Sequence, residues 1–168
     1  MTITEPASAK DAVAALCPSV AKDERIMLVG LLAETAARLQ RTLGGWLESE
    51  CGLPLAWYEV LVRIVRSPEG RLTMSEVADK TVYTSGGTTR LVDRIEEAGL
   101  LQRAKCPSDR RTVYVEITEA GAAALAAATE VHLSHIDAEV MVHLDDAERA
   151  TLIDLLTRIN EGPASCTA

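Results

Sequence analysis

Four basic side chains, Arg103, Lys105, Arg110 and Arg111, fall between residues 100 and 115 against one acid, Asp109. Just upstream, Thr84, Ser85, Gly86, Thr88, Thr89, Arg90 and Arg94 bring together hydroxyls, bare backbone and two guanidinium groups. This is chemistry for a polyanion. A guanidinium fork bonds phosphate or a guanine edge, and a threonine offers both a methyl and a hydroxyl. Backbone amides at a helix start, free of side chains at Gly86 and Gly87, donate to phosphate oxygens. Thr88, Leu91, Val92 and Ile95 recur at three- and four-residue steps and so share an inward face. That turns Ser85, Gly86, Thr89, Arg90 and Asp93 outward; Thr88, although inward, is retained with Thr89 as a candidate contact. The alternative is an ordinary solvated helix face, and the basic segment beside it weighs against that.

The elements that must position these groups follow from local signals. Arg71-Leu72-Thr73-Met74 reads as a short strand-like piece, and Thr73 with Glu76 has capping-box spacing for a short helix. A break at 81–83 follows, and then Thr84 or Ser85 caps a second helix over 86–98. Gly99 closes it in the left-handed position past a helix end. Two short helices joined by a tight break form a helix-turn-helix, whose second helix enters the major groove. After Gly99 the period changes to that of strands, over 100–104 and 112–117, with a polar, basic hairpin tip at 105–111. The expected fold is mainly α with a small β component: a winged helix-turn-helix.

The residues that carry this reading also resemble a known family. Leu72-Thr73-Met74-Ser75-Glu76-Val77-Ala78, Thr89-Arg90-Leu91-Val92-Asp93-Arg94-Ile95-Glu96-Glu97-Ala98-Gly99-Leu100, Asp109-Arg110-Arg111 and Ile117-Thr118-Glu119-Ala120-Gly121 look, in order and spacing, like the MarR family of bacterial transcription regulators. The likeness spans about 26–160, with its sharp motifs between 72 and 121. It implies a homodimeric regulator, a repressor, on a palindromic operator. It also implies that Arg111 enters the minor groove while Asp109 orients the wing through an ion pair. The physics agrees, because a narrow minor groove draws arginine in. Arg110 and Arg103 are then backbone-contact candidates. Many relatives carry larger polar or basic groups near the start of the reading helix, where Ser85-Gly86-Gly87 is almost bare.

The remaining chain reads mostly as helices. Residues 1–22 are a mobile arm or a short helix, between which the sequence does not decide. Residues 23–51 form a long helix with one stripe through Leu28, Leu32, Ala36, Leu39, Leu43 and Trp46 and a second through Ile26, Val29, Ala33 and Ala37. Gly44-Gly45 offers a bend or a close approach. The winged unit spans 52–118, opening with a helix over 55–65 that has Pro54 in its first turn and Trp57, Val60, Leu61 and Ile64 on one side. Thr118 caps a helix running to about Leu144, alanine-rich at first. Asp145 and Glu148 cap a last helix over 147–160, and 161–168 is a tail. Long terminal helices too apolar for a monomer's surface, 23–51 and 119–160, imply dimerisation.

Composition narrows the class. At 168 residues and 48% hydrophobic, the chain is long and apolar enough for a core. No apolar run spans a membrane and no secretory signature opens the chain, so the expected compartment is the cytoplasm. The net charge of −8 argues against indiscriminate coating of nucleic acid and favours a placed grip by a basic wing on an acidic body. Cys17, Cys51, Cys106 and Cys166 contain no CxxC pair. Free thiols are the default, with a redox switch at Cys106 among the wing's cations as the alternative. Trp46, Trp57, Tyr58, Arg38, Arg41 and Arg63 are the candidates for an effector cleft, which the family resemblance implies for small aromatic or anionic compounds; core anchoring is the competing role of the rings. His132, His135 and Glu139 share a helix face, but nothing completes a metal shell, so neither metal nor cofactor is expected. No phosphate-binding loop or nucleophile–base pair points to an enzyme. A winged-helix protein adaptor is the other class, supported by the bare Ser85-Gly86-Gly87 and opposed by the basic wing.

Overall fold

The computed structural model describes residues 23–79, 85–105 and 112–162. The chain forms two compact units, residues 1–42 and 43–168. In the first, the described residues are Asp23 and the start of helix α1, Glu24–Cys51, whose last residues belong to the second. Asp23 precedes it, accepting the Arg25 backbone N–H at 3.0 Å and its guanidinium at 2.6 Å, which holds the carboxyl below its usual pKa. Ile26, Met27, Leu28, Val29 and Leu31 are each at least half exposed.

In the second unit, Leu43 and Leu47 of α1 are buried. The helix does not break at Gly44-Gly45. Instead a Cβ on Gly44 would stand 3.2 Å from the Leu55 Cβ, so the missing side chain serves a close approach. Helix α2, Leu55–Val65, starts one residue beyond Pro54, which is its N-cap. The Pro54 carbonyl accepts from Trp57 and Tyr58 at 2.9 and 3.1 Å. Val60, Leu61 and Ile64 of α2 are fully buried, and Trp57 packs against that core from a partly buried position.

Strand β1, Arg71–Thr73, leads into helix α3, Met74–Asp79, and helix α4 is Ser85–Glu97. Strands β2, Leu101–Lys105, and β3, Val113–Ile117, then pair antiparallel. The short piece before α3 joins them as a third strand, in the order β1-β3-β2, with Leu72 opposite Val115. Leu72, Leu101 and Val115 are buried in the core shared with α2 and α4.

Helix α5, Glu119–Glu139, is capped by the Thr118 hydroxyl, which accepts the Gly121 N–H at 3.0 Å. It stops short of the expected Leu144. A 3₁₀ turn, Met141–His143, intervenes, and Leu144 is extended so that Asp145 can cap helix α6, Asp146–Glu161. The Asp145–Glu148 capping box is complete at 2.9 Å in both directions. Arg149 then donates to the Met141 and Leu144 carbonyls, each at 3.1 Å, which satisfies acceptors that a continuous helix would have used. Leu152, Ile153, Leu155, Leu156 and Ile159 of α6 are exposed. Among the described residues no helix is long and apolar enough to cross a membrane.

Candidate nucleic-acid interface

One cap starts α3 and another closes α4, the reading helix. Ahead of α3 the Thr73 hydroxyl accepts the Glu76 N–H at 3.2 Å and Glu76 returns a carboxylate to the Thr73 N–H at 2.7 Å, the expected capping box. At the exit of α4, Gly99 has φ +75°, its N–H donates to the Glu96 carbonyl at 2.8 Å, and the Leu100 N–H donates to Ile95 at 3.1 Å. That pair of bonds closes the helix in a Schellman arrangement. Thr84 lies outside the described residues, and for Ser85 only its place as the first residue of α4 is described.

Thr88, Val92 and Ile95 are fully buried. The Thr88 side chain is therefore withdrawn from the surface and is not available as a groove contact, contrary to expectation: helical spacing points it into the core. Gly86, Thr89, Arg90 and Arg94 are exposed. Arg90 and Arg94, one turn apart, line an open cleft of about 270 Å³ with Gly87, Leu91 and Ala56 of α2. Neither arginine has an ion pair among the described residues. Two unpaired guanidinium groups on one ridge, beside an open notch, form an anion-seeking surface.

Arg103, expected as a backbone contact, is paired within the protein. Its guanidinium donates to Asp93 at 2.6 Å and also to Glu96, while its backbone N–H donates to Glu96 at 3.1 Å. Partial burial alone would lower its pKa, but the hydrogen bond to Asp93 and the charge of Glu96 outweigh that and raise it. Arg103 is thus engaged by two acids of α4 rather than held out for a phosphate, and Asp93 is half-buried rather than a free outward acid. Sequence spacing missed this because the partners lie seven and ten residues upstream, across a chain reversal. Two acids one turn apart on a helix followed by a strand arginine were the available signal. Lys105 ends β2, exposed, while Cys106, Asp109, Arg110 and Arg111 lie outside the described residues.

Comparison with known proteins agrees with this geometry. The sequence model of the MarR family matches residues 52–112. The HTH-type transcriptional regulator MhqR of Bacillus subtilis is 32% identical over 91 residues, covering 54% of this chain and 62% of MhqR. A putative transcriptional regulatory protein for the hcr operon of Thauera aromatica is 32% identical over 118 residues, 68% of this chain and 69% of that protein. The chain belongs to the MarR family. Among solved structures, Sco3205, a MarR family transcriptional regulator from Streptomyces coelicolor in complex with DNA, superposes with a TM-score of 0.76 at 27% identity, over 88% of this chain and 94% of its own.

In this MarR-family chain two of the candidate effector residues share a cleft. Tyr58 and Arg63 line an open cleft of about 370 Å³ along α2 and the following turn, with Glu59, Val62, Arg66, Ser67 and Pro68. Arg63 faces Glu59 at 3.6 Å. Trp57 packs on the core, and Trp46 stacks on the His135 ring at 3.9 Å. Arg38 and Arg41 are exposed residues of the first unit. The α5 histidines have separate partners: His135 bonds Glu50 at 2.8 Å, and His132 is buried against the Tyr58 ring with an Nδ1 that has no hydrogen bond. Cys51 is half-buried, while Cys17 and Cys166 lie outside the described residues.

Proposed function

We propose that the chain is a sequence-specific, DNA-binding transcription regulator rather than an enzyme, acting as a homodimer and as a repressor. The observation that carries the reading is the pair Arg90 and Arg94, exposed and, among the described residues, without an ion pair, on α4, the second helix of a capped helix-turn-helix. Helix α4 enters the major groove, where Thr89 and Arg90 meet base edges or phosphates, and the bare Gly86 lets backbone approach phosphate. The wing follows the adjacent minor groove, with Arg111 inserted, Arg110 on the backbone and Asp109 as the positioning partner. The solved complex of Sco3205 with DNA, which shares this fold, supports the placement. The apolar residues left exposed on α1 and on α6 support a dimer, because surfaces of that kind mark interfaces. The cleft along α2 supports an effector reading: Arg66 and Tyr58 on its rim suit a small aromatic acid.

Titration against a duplex from the promoter of its own gene, at several salt concentrations, tests the reading. Affinity falls steeply with salt as counterions are released, and Arg110→Ala flattens that slope by about one unit. Arg111→Ala weakens binding by about 1–3 kcal/mol. A winged-helix adaptor that has lost DNA would show neither affinity nor slope.

A further inference from the structure

The Arg103 network has a use that a simple charge patch does not. Asp93 and Glu96 stand on α4 itself, the helix that reads DNA in the function proposed above, on which this inference rests. Acids on such a helix repel phosphate unless something neutralises and holds them. Arg103 does both from β2, with its fork on Asp93 and Glu96 and its backbone N–H on Glu96. Three bonds from one residue to one helix restrain orientation as well as distance. The strand so held is paired with β3 along its full length, from Leu101 opposite Ile117 to Lys105 opposite Val113. The bridge therefore acts on the whole hairpin. Among the described residues both acids bond Arg103, and neither bonds Arg90 or Arg94, so they do not consume the cations of the reading ridge.

We propose that Arg103, bridging Asp93 and Glu96, is a positioning residue that fixes the angle of the β2–β3 wing to the reading helix, so that both engage one DNA duplex together. It does not touch DNA. Its loss frees the wing to sample other angles, and each DNA contact then has to be made at the cost of ordering it.

The test uses the full chain, the same promoter duplex and a salt series. It compares the wild type with Arg103→Ala, Arg103→Lys and the double variant Asp93→Asn with Glu96→Gln. Arg103→Ala is expected to lower affinity about tenfold while leaving the salt slope unchanged, and the double variant to lower it by a similar factor although it removes two negative charges. Adding Arg103→Ala to the double variant costs little more, because one bridge is lost only once. Arg103→Lys, which keeps the charge but not the fork, restores only part of the loss and checks that the effect is not one of unfolding. The proposal is overturned if Arg103→Ala flattens the salt slope by about one unit, the mark of a phosphate contact, or if the double variant binds as tightly as or more tightly than wild type. A wild type that shows no salt-dependent binding would instead remove the DNA-binding reading beneath it.

Discussion

The Thr118 hydroxyl donates to the Gly99 carbonyl at 2.7 Å, which ties the residue that ends the reading helix to the residue that starts α5. The Thr118 N–H adds a bond to Leu100 at 3.1 Å, and its oxygen accepts from Gly121. One side chain thus joins the exit of α4, the end of β3 and the first turn of α5. The close approach depends on Gly121: a Cβ there would collide with the Leu100 carbonyl oxygen and with the Ile117 side chain at 2.9 Å.

Gly121→Ala should therefore destabilise the fold by about 1–3 kcal/mol, because the colliding atom is backbone and cannot rotate away. Helix propensity alone argues the opposite, since alanine is the better helix former. Thermal unfolding decides between them, and an unchanged or raised Tm would show that α5 shifts freely.

Gly86 is the contrasting case. A Cβ there meets nothing within 4 Å, and the residue lies in the first turn of α4. Gly86→Ala should leave stability equal or raise it by up to about 1 kcal/mol. If bare backbone is what approaches phosphate, the same variant should bind the promoter duplex more weakly. Stability and affinity moving in opposite directions is the expected result; affinity rising with stability would mean that the bareness serves no contact.

Acid should weaken the junction between α2 and α5. Burial first, and then the nearby His135, lower the pKa of His132, while Glu59 opposes them. In the unfolded chain histidine titrates near about 6.5, so below that pH the unfolded state binds the proton more readily. The stability contributed by neutral His132 is thus present above about 6.5 and lost as pH falls toward the lower folded value. Tm measured between pH 7.5 and 5.5 should drop less in His132→Gln than in wild type. His135→Gln is the control, because it removes a ring on the same helix whose hydrogen bond goes to Glu50 at 2.8 Å. An equal drop in wild type and His132→Gln would remove His132 from the account.

What was legible in the sequence was local. Thr73 with Glu76 and Asp145 with Glu148 are caps readable from spacing alone, and Gly99 takes the positive φ that its place after a helix demands. The inward set Thr88, Val92 and Ile95 follows from helical period, and that same period excludes Thr88 from the surface. Long-range pairing was not legible. An arginine on a basic strand reads as a phosphate contact until its partners are seen, and Arg103 has two. The end of α5 is not legible because apolar period runs on past Glu139, while the cap that decides the matter belongs to the next helix. Residue type nominates Trp46, Tyr58 and Arg63 for an effector site, and type does not say that Trp46 stacks on His135 while Tyr58 and Arg63 share a cleft.

Hydroxyl-radical footprinting of the promoter duplex, at a salt concentration that suppresses non-specific binding, tests the central claim most directly. Two copies of α4 related by a dimer axis should protect two patches on one face of the duplex, about 10 base pairs apart and symmetric about their midpoint. Arg90→Ala should erase both patches together. Protection spread evenly along the duplex, or none at all while the protein remains folded, would contradict the account.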